Sequence, residues 1–216
     1  MSNKFFMGLV IAIVIIGGIF VATKKDSNVT NNSNAVGQKS NHIKGAGNKK
    51  VVVEEFGDFE CPGCGAYYPL IKQIQAAYGE DITFQFHNFP LTQIHQSAMA
   101  AHRAAEAASL QGKFWEMHDL LYENQKSWKV SASPSQIFEQ YATDLKLDIA
   151  KFKTDVGSDA VFGTINADIK EGQKYKFTGT PSFVINGKAV DAKDLGNLDL
   201  FKKYIDAEIA KNNSKQ

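Results

Sequence analysis

The sequence predicts an α/β domain in which a block of helices interrupts a small sheet, and three observations carry that prediction. A β-branched, apolar run at residues 49–56 and a partly alternating run at 82–87 flank a helical apolar pattern at 66–78. Two strands joined by such a crossover are expected to lie parallel in a right-handed βαβ unit. Helical patterns then cover roughly 80 residues, which is too long for a simple crossover and reads as an inserted subdomain. The strand pattern resumes at 181–187, with Asn186-Gly187 at a hairpin turn before Lys188-Ala-Val190.

Taken in order, residues 1–25 are expected to be a membrane anchor or uncleaved signal. Residues 5–22 are 18 consecutive apolar or glycine residues, about 27 Å of helix at 1.5 Å per residue. The small residues that a cleavage site needs fit poorly after this run, so an anchor is favoured over a removed signal. No cysteine near it offers a lipid attachment point. Residues 26–48, rich in Asn, Ser and Gly, read as a disordered linker whose His42 is solvated. Residues 49–216 form the domain, with the helical insertion at about 92–175. Within it, 94–128 is Ala-rich and helical, further helices are expected at 135–145, 148–156 and 159–175, and an amphipathic helix at 197–211 closes the domain.

The chain has 216 residues, 44% of them hydrophobic, and a net charge of +1. That suits one domain plus appendages. Lys and acidic residues are interspersed, so there is no basic stripe to suggest a nucleic-acid partner.

Cys61 and Cys64 are the only two cysteines and can pair only with each other. They sit at a strand-to-helix junction, Gly57 and Asp58 breaking the strand and Pro62 suiting the first helical position. Cys61 at the N-cap faces unpaired backbone N–H groups and the positive end of the helix dipole, both of which favour a thiolate. It is the expected nucleophile. Cys64, one turn further in and more buried, can open or close a disulfide with it. A structural staple closing so short a loop would remove little chain entropy. A zinc site would need two further ligands, and the five histidines show no ligand spacing after the cysteines. No metal and no cofactor are therefore expected. Gly179-Thr180-Pro181 before the later strand is the second chemical element: a cis Thr180–Pro181 bond would present the Thr180 backbone to an extended substrate.

Four segments together carry a family resemblance: Glu55-Phe-Gly-Asp-Phe-Glu-Cys-Pro-Gly-Cys64, Phe86-His-Asn-Phe-Pro-Leu91, Gln111-Gly-Lys-Phe-Trp-Glu-Met-His-Asp-Leu120 and Gly179-Thr-Pro-Ser-Phe-Val-Ile-Asn-Gly187. Over about residues 49–212 the chain resembles the DsbA-type thiol–disulfide oxidoreductases, in their membrane-anchored or secreted BdbD-like bacterial branch. The resemblance implies a thioredoxin fold with an inserted helical subdomain. It implies Cys61 as the attacking cysteine, Cys64 as the resolving one, Pro181 as the cis-proline beside them and Glu55 as a buried acid that relays a proton, with Glu54 a competing neighbour. Phe59, Pro62, Gly63 and Thr180 are expected to face substrate, Phe59 and Pro181 sharing an apolar groove. His118 is expected to be structural, and His95 and His102 to be surface residues.

Two departures from that pattern matter. Pro62-Gly63 stands where some relatives carry His between the cysteines, which shifts thiolate stabilisation onto the helix terminus and points to a weaker oxidant. The strand at 82–88 offers no Lys to pair with the buried acid.

The function expected is a monomeric, extracytoplasmic disulfide oxidase on the cell membrane, or a secreted or periplasmic one after signal cleavage. It would pass the Cys61–Cys64 disulfide to reduced exported polypeptides and be reoxidised, by resemblance, by a DsbB-like quinone-linked membrane protein. A reductase or isomerase is the alternative within enzymes. A tethered, non-catalytic holdase is the alternative from another class.

Overall fold

The structure is a computed structural model that describes residues 37–214. The expected anchor at 1–25 and the linker as far as residue 36 lie outside the described residues. Among those described, no helix is long and apolar enough to cross a membrane.

The strands are β1 (His42–Lys44), β2 (Val51–Gly57), β3 (Ile82–Asn88), β4 (Ser182–Ile185) and β5 (Lys188–Val190). They form one sheet in the order β1-β3-β2-β4-β5. β2 and β3 are parallel, with Val51 opposite Ile82 and Gly57 opposite Asn88. Every other pairing is antiparallel. The parallel pair is joined by α1 (Pro62–Tyr78), the crossover expected from the apolar spacing. Asn186 and Gly187 both take positive φ, 49° and 75°, as a two-residue hairpin turn between β4 and β5 requires.

Between β3 and β4 lie six helices: α2 (Ala98–Ser109), α3 (Phe114–Glu123), α4 (Gln125–Trp128), α5 (Pro134–Asp144), α6 (Ile149–Val156) and α7 (Asp159–Lys174). The pattern at 94–128 is therefore three helices. Gly112, at φ 74°, turns the chain after α2, and the Lys113 N–H reaches back to the Ala108 carbonyl. α2 buries Ala98, Ala101, Ala104, Ala105, Ala107 and Ala108, and these small side chains let it pack between α3, α6 and α7. The closing helix is α8 (Leu198–Asn213), capped by the Asn197 side chain accepting from the Leu200 N–H at 3.0 Å.

Three of the expectations are corrected here. The linker does not run to residue 48, and His42 is not solvated. Its residues 42–44 pair with β3 as β1, the His42 ring stacks on Phe114, and its Nε2 lies 2.6 Å from Glu106 Oε1. A short polar stretch thus gains its strand from β3 and its burial from the insertion. His102 is not a surface residue either: it is fully buried on the inner face of α2 against Phe59. His95 is partly exposed and bonds Asp58 through Nδ1 at 2.7 Å.

The core divides over the sheet. Val51, Val53, Phe84 and Phe183 meet Ile71 and Ile74 of α1 and Phe201 and Ile205 of α8. Phe56 and Val184 cluster with Phe89, Ile169 of α7 and Phe177. A third cluster joins the insertion to Phe59, Cys61 and Cys64, so both cysteines lie where the insertion docks on the sheet domain.

Candidate active site

Cys61 is the N-cap of α1, in an extended backbone conformation, and Pro62 occupies the first turn. Its carbonyl accepts the Gly65 N–H at 3.1 Å, the first bond of the helix. Cys61 retains 7% of its surface and Cys64 none. Both thiols are free. The Thr180–Pro181 bond is cis, and the Thr180 carbonyl accepts the Cys61 thiol at 3.2 Å. A β-carbon added to Gly63 would lie 3.3 Å from Pro181 Cδ and 3.5 Å from Cys61 Sγ, so glycine lets Pro181 close over the sulfur.

The two thiols are polarised in opposite directions. Cys61 is lowered from 9.0 to about 5, first by the hydrogen bond from the Cys64 thiol and further by the backbone N–H groups of Gly63 and Cys64, while desolvation opposes them. Thr180 contributes little to this. Its carbonyl can only accept, which holds the neutral thiol, and its buried hydroxyl, which could donate, has no hydrogen-bond partner. Burial pushes Cys64 well above 9.0, aided by its bond to Cys61 and by Glu55.

Alternation along β2 separates the two candidate acids. Glu55 is in phase with Val51 and Val53 and turns toward α1, where it is 2% exposed and desolvation raises it to about 8. Glu54 turns to the other face and accepts from His87 Nε2 at 3.0 Å. Burial opposes protonation of His87, but its bonds to Asp168 and Glu54 prevail and raise it to about 9.

Of the residues expected to face substrate, Pro62 is exposed and Gly63 and Thr180 are half-buried beside the sulfur. Phe59 is not available. It is fully buried, stacked on Phe86 at 5.2 Å and packed on His102 and Tyr122. The reason is its place in the loop between β2 and α1, which the insertion covers. The groove beside Pro181 is lined instead by Phe177, Gly179, Ala189 and Val190.

Several groups that shape the loop carry no local signal in the sequence. Asp58, fully buried, accepts the N–H groups of Glu60 and Leu91 at 2.8 Å each and His95 Nδ1 at 2.7 Å. Gln125 of α4 donates through Nε2 to the carbonyls of Phe59 and Cys61, both at 2.8 Å. Asn88 donates its amide to Asp168, so its oxygen accepts from His102 Nδ1 at 2.7 Å. Neutral His102 then has Nε2 free to accept the Phe59 N–H at 3.4 Å, in keeping with burial lowering it to about 4. A motif search on Cys, His and Asp would find Asp58, His95 and His102 but neither Gln125 nor Asn88.

Among the described residues no cluster of His, Cys, Asp and Glu is arranged to hold a metal ion. What the site can do is thiol–disulfide exchange. An ionised Cys61 is a ready nucleophile and leaving group, and a neutral Cys64 is held behind it.

Comparison with known proteins agrees with this geometry. The family model described as thioredoxin matches residues 38–207. The probable disulfide bond formation protein D of Bacillus anthracis is 28% identical over 221 residues, covering 97% of this chain and 99% of that protein. The Na(+)/H(+) antiporter NhaA 3 of Salinispora tropica is 35% identical over 147 residues, 68% of this chain. The chain spans only 22% of that antiporter's length. The crystal structure of oxidised BdbD from Bacillus subtilis superposes with a TM-score of 0.69 at 24% identity, covering 82% of this chain and 98% of that one. Wolbachia pipientis α-DsbA1 superposes with a TM-score of 0.68 at 17% identity, covering 85% and 98%. At these identities the two structures speak for the fold, which is the thioredoxin fold with a helical insertion between β3 and β4.

Proposed function

The chain belongs to the thioredoxin family; from that premise we propose that it is a thiol–disulfide oxidoreductase and works as a disulfide oxidase outside the cytoplasm. The observation that carries the direction is the opposite polarisation of the two thiols, Cys61 lowered to about 5 and Cys64 raised above 9.0. A stabilised thiolate favours the reduced form, and a protein whose reduced form is favoured gives its disulfide away.

In the forward reaction a substrate thiolate attacks Cys61 Sγ of the Cys61–Cys64 disulfide. The S–S bond breaks, a mixed disulfide forms at Cys61, and Cys64 leaves as a thiolate that takes up a proton. The substrate's second thiolate then attacks its own sulfur in the mixed disulfide, leaves with the disulfide and releases the Cys61 thiolate, which the helix terminus holds. Glu55, neutral at pH 7 and turned toward Cys64, is the proton source for the leaving sulfur. The half-buried Thr180 backbone and the groove beside Pro181 receive the substrate's extended chain.

The apolar run at 5–22 supports a membrane anchor, and disulfide chemistry behind an anchor suits an oxidising compartment. The substrates are then reduced exported polypeptides, and a DsbB-like membrane protein restores the disulfide. A monomer suffices, because both thiols and Pro181 come from one chain.

The test is trapping. Cys64→Ser is expected to accumulate mixed disulfides with substrate proteins, visible on non-reducing gels, and Cys61→Ser to accumulate few. A reduction potential near the thioredoxin value of about −270 mV would overturn the oxidase direction in favour of a reductase. A double Cys61→Ser, Cys64→Ser variant that kept full activity would instead make the protein a holdase.

A further inference from the structure

The buried acid Glu55 has no lysine beside it on β3, and the exchange reaction leaves a negative charge at Cys64 or, once the proton has moved, at Glu55. Either charge would sit in a fully desolvated place, which is costly unless a donor meets it. Two buried hydroxyls near the thiols are without a partner among the described residues, and that of Thr180 lies on the Cys61 side. The Tyr122 hydroxyl of α3 is buried and has no hydrogen-bond partner. Its ring is held between Phe59 at 5.0 Å, Tyr68 at 5.4 Å and His118 at 5.0 Å. Gly57, in phase with Glu55 on β2, makes the room: a β-carbon there would lie 3.0 Å from the Tyr122 oxygen and 2.5 Å from the Phe86 ring. Asp58, the next residue, points its N–H at Cys64 Sγ at 3.4 Å. The hydroxyl thus enters from the insertion into the gap between β2 and the start of α1.

We propose that Tyr122 is a positioning residue for the exchange reaction, its hydroxyl acting as the hydrogen-bond donor that meets the negative charge shared between Cys64 and Glu55. In the reduced molecule both of those groups are neutral at pH 7, so neither draws the hydroxyl as an anion would, and the hydroxyl is unpaired. When a thiolate attacks Cys61 and the Cys61–Cys64 bond breaks, the electron pair goes to Cys64 Sγ, the Glu55 proton moves to that sulfur, and the charge passes to the Glu55 carboxylate. No other reagent is needed. Tyr122 keeps its own proton throughout, because burial first, and then the nearness of Cys64, Glu55, Asp58 and Cys61, hold it well above 10. The other ionisable groups packed around the ring are Tyr68 from α1 and His118 from α3, with His102 of α2 across Phe59. Both histidines are held neutral, lowered to about 4 by burial, so neither brings a competing positive charge at pH 7.

This rests on thiol–disulfide exchange at Cys61 and Cys64 and not on its direction. The test is the single-turnover reduction of the oxidised full chain by dithiothreitol, followed between pH 5 and 10. Tyr122→Phe is expected to slow it about tenfold at pH 7, the loss of one hydrogen bond to a charged group. The inflection from Glu55 near pH 8 is expected to move upward in the variant, because the carboxylate has lost its donor, and to vanish in Glu55→Gln. Replacing Tyr122 by 3-fluorotyrosine strengthens the donor without changing the packing, and is expected to move rate and inflection the opposite way. A Tyr122→Phe protein with wild-type rate and inflection, or one slowed without any movement of the inflection, would overturn the inference. A wild-type protein that fails to exchange with dithiothreitol would instead overturn the function proposed above.

Discussion

Gln125 and Cys61, 64 positions apart, are joined by one hydrogen bond of 2.8 Å that ties the helical insertion to the reactive loop. The same nitrogen also holds the Phe59 carbonyl, and Gly65 leaves the space that the Gln125 amide occupies, since a β-carbon there would lie 2.4 Å from Oε1. Gln125→Ala is expected to cost about 1–3 kcal/mol, because the buried Phe59 carbonyl loses its donor. Gln125→Glu is expected to raise the Cys61 pKa above its value of about 5, since an acceptor replaces the donor and brings negative charge toward the thiolate. Absorbance of the thiolate near 240 nm against pH reads this directly, and an unchanged titration would show that Gln125 only packs.

The reduced form should be stabilised over the oxidised form by an amount that depends on pH. Cys61 ionises at about 5 in the folded protein against 9.0 ordinarily, so its contribution is complete above pH 9 and is lost as pH falls through the window to 5. Cys64, raised by burial, acts in the opposite sense but only above pH 9, where an unfolded thiol ionises. Between pH 5 and 9 the gap in urea midpoint between the two forms is therefore expected to widen with pH. A gap that stays flat from pH 5 to 8 would mean that Cys61 is not stabilised as a thiolate.

Asp58→Ala is expected to be among the most destabilising single changes near the site. It removes the acceptor of two backbone N–H groups and of His95 Nδ1 in a place with no exposure. Stranding the two N–H groups alone costs about 2–6 kcal/mol. Asp58→Asn keeps one accepting oxygen and should lose about half as much. Denaturant unfolding of the two variants at pH 7 checks the order, and equal losses would contradict it.

The readable parts of this protein were those fixed by neighbours in the chain. The Cys61–Pro62 helix start, the Asn186-Gly187 turn and the βαβ crossover follow from capping, φ preference and apolar period, each decided within a few residues. The choice between Glu54 and Glu55 was not readable, because adjacent acids on a strand differ only in which face they meet, and that depends on where α1 lies. Phe59 looked like an accessible aromatic beside the thiols until the insertion folded over it. His42 and His102 looked solvated because the groups that bury them, Phe114 and Glu106 for one and Asn88 and Phe59 for the other, come from other elements. The sequence by itself determined that two cysteines at a helix start would face each other as a redox pair. Only the tertiary structure decided which donors and acids surround them, because Gln125, Tyr122 and Glu55 reach the site from three different elements. Their effect on a buried charge comes from proximity in space, which spacing along the chain does not encode.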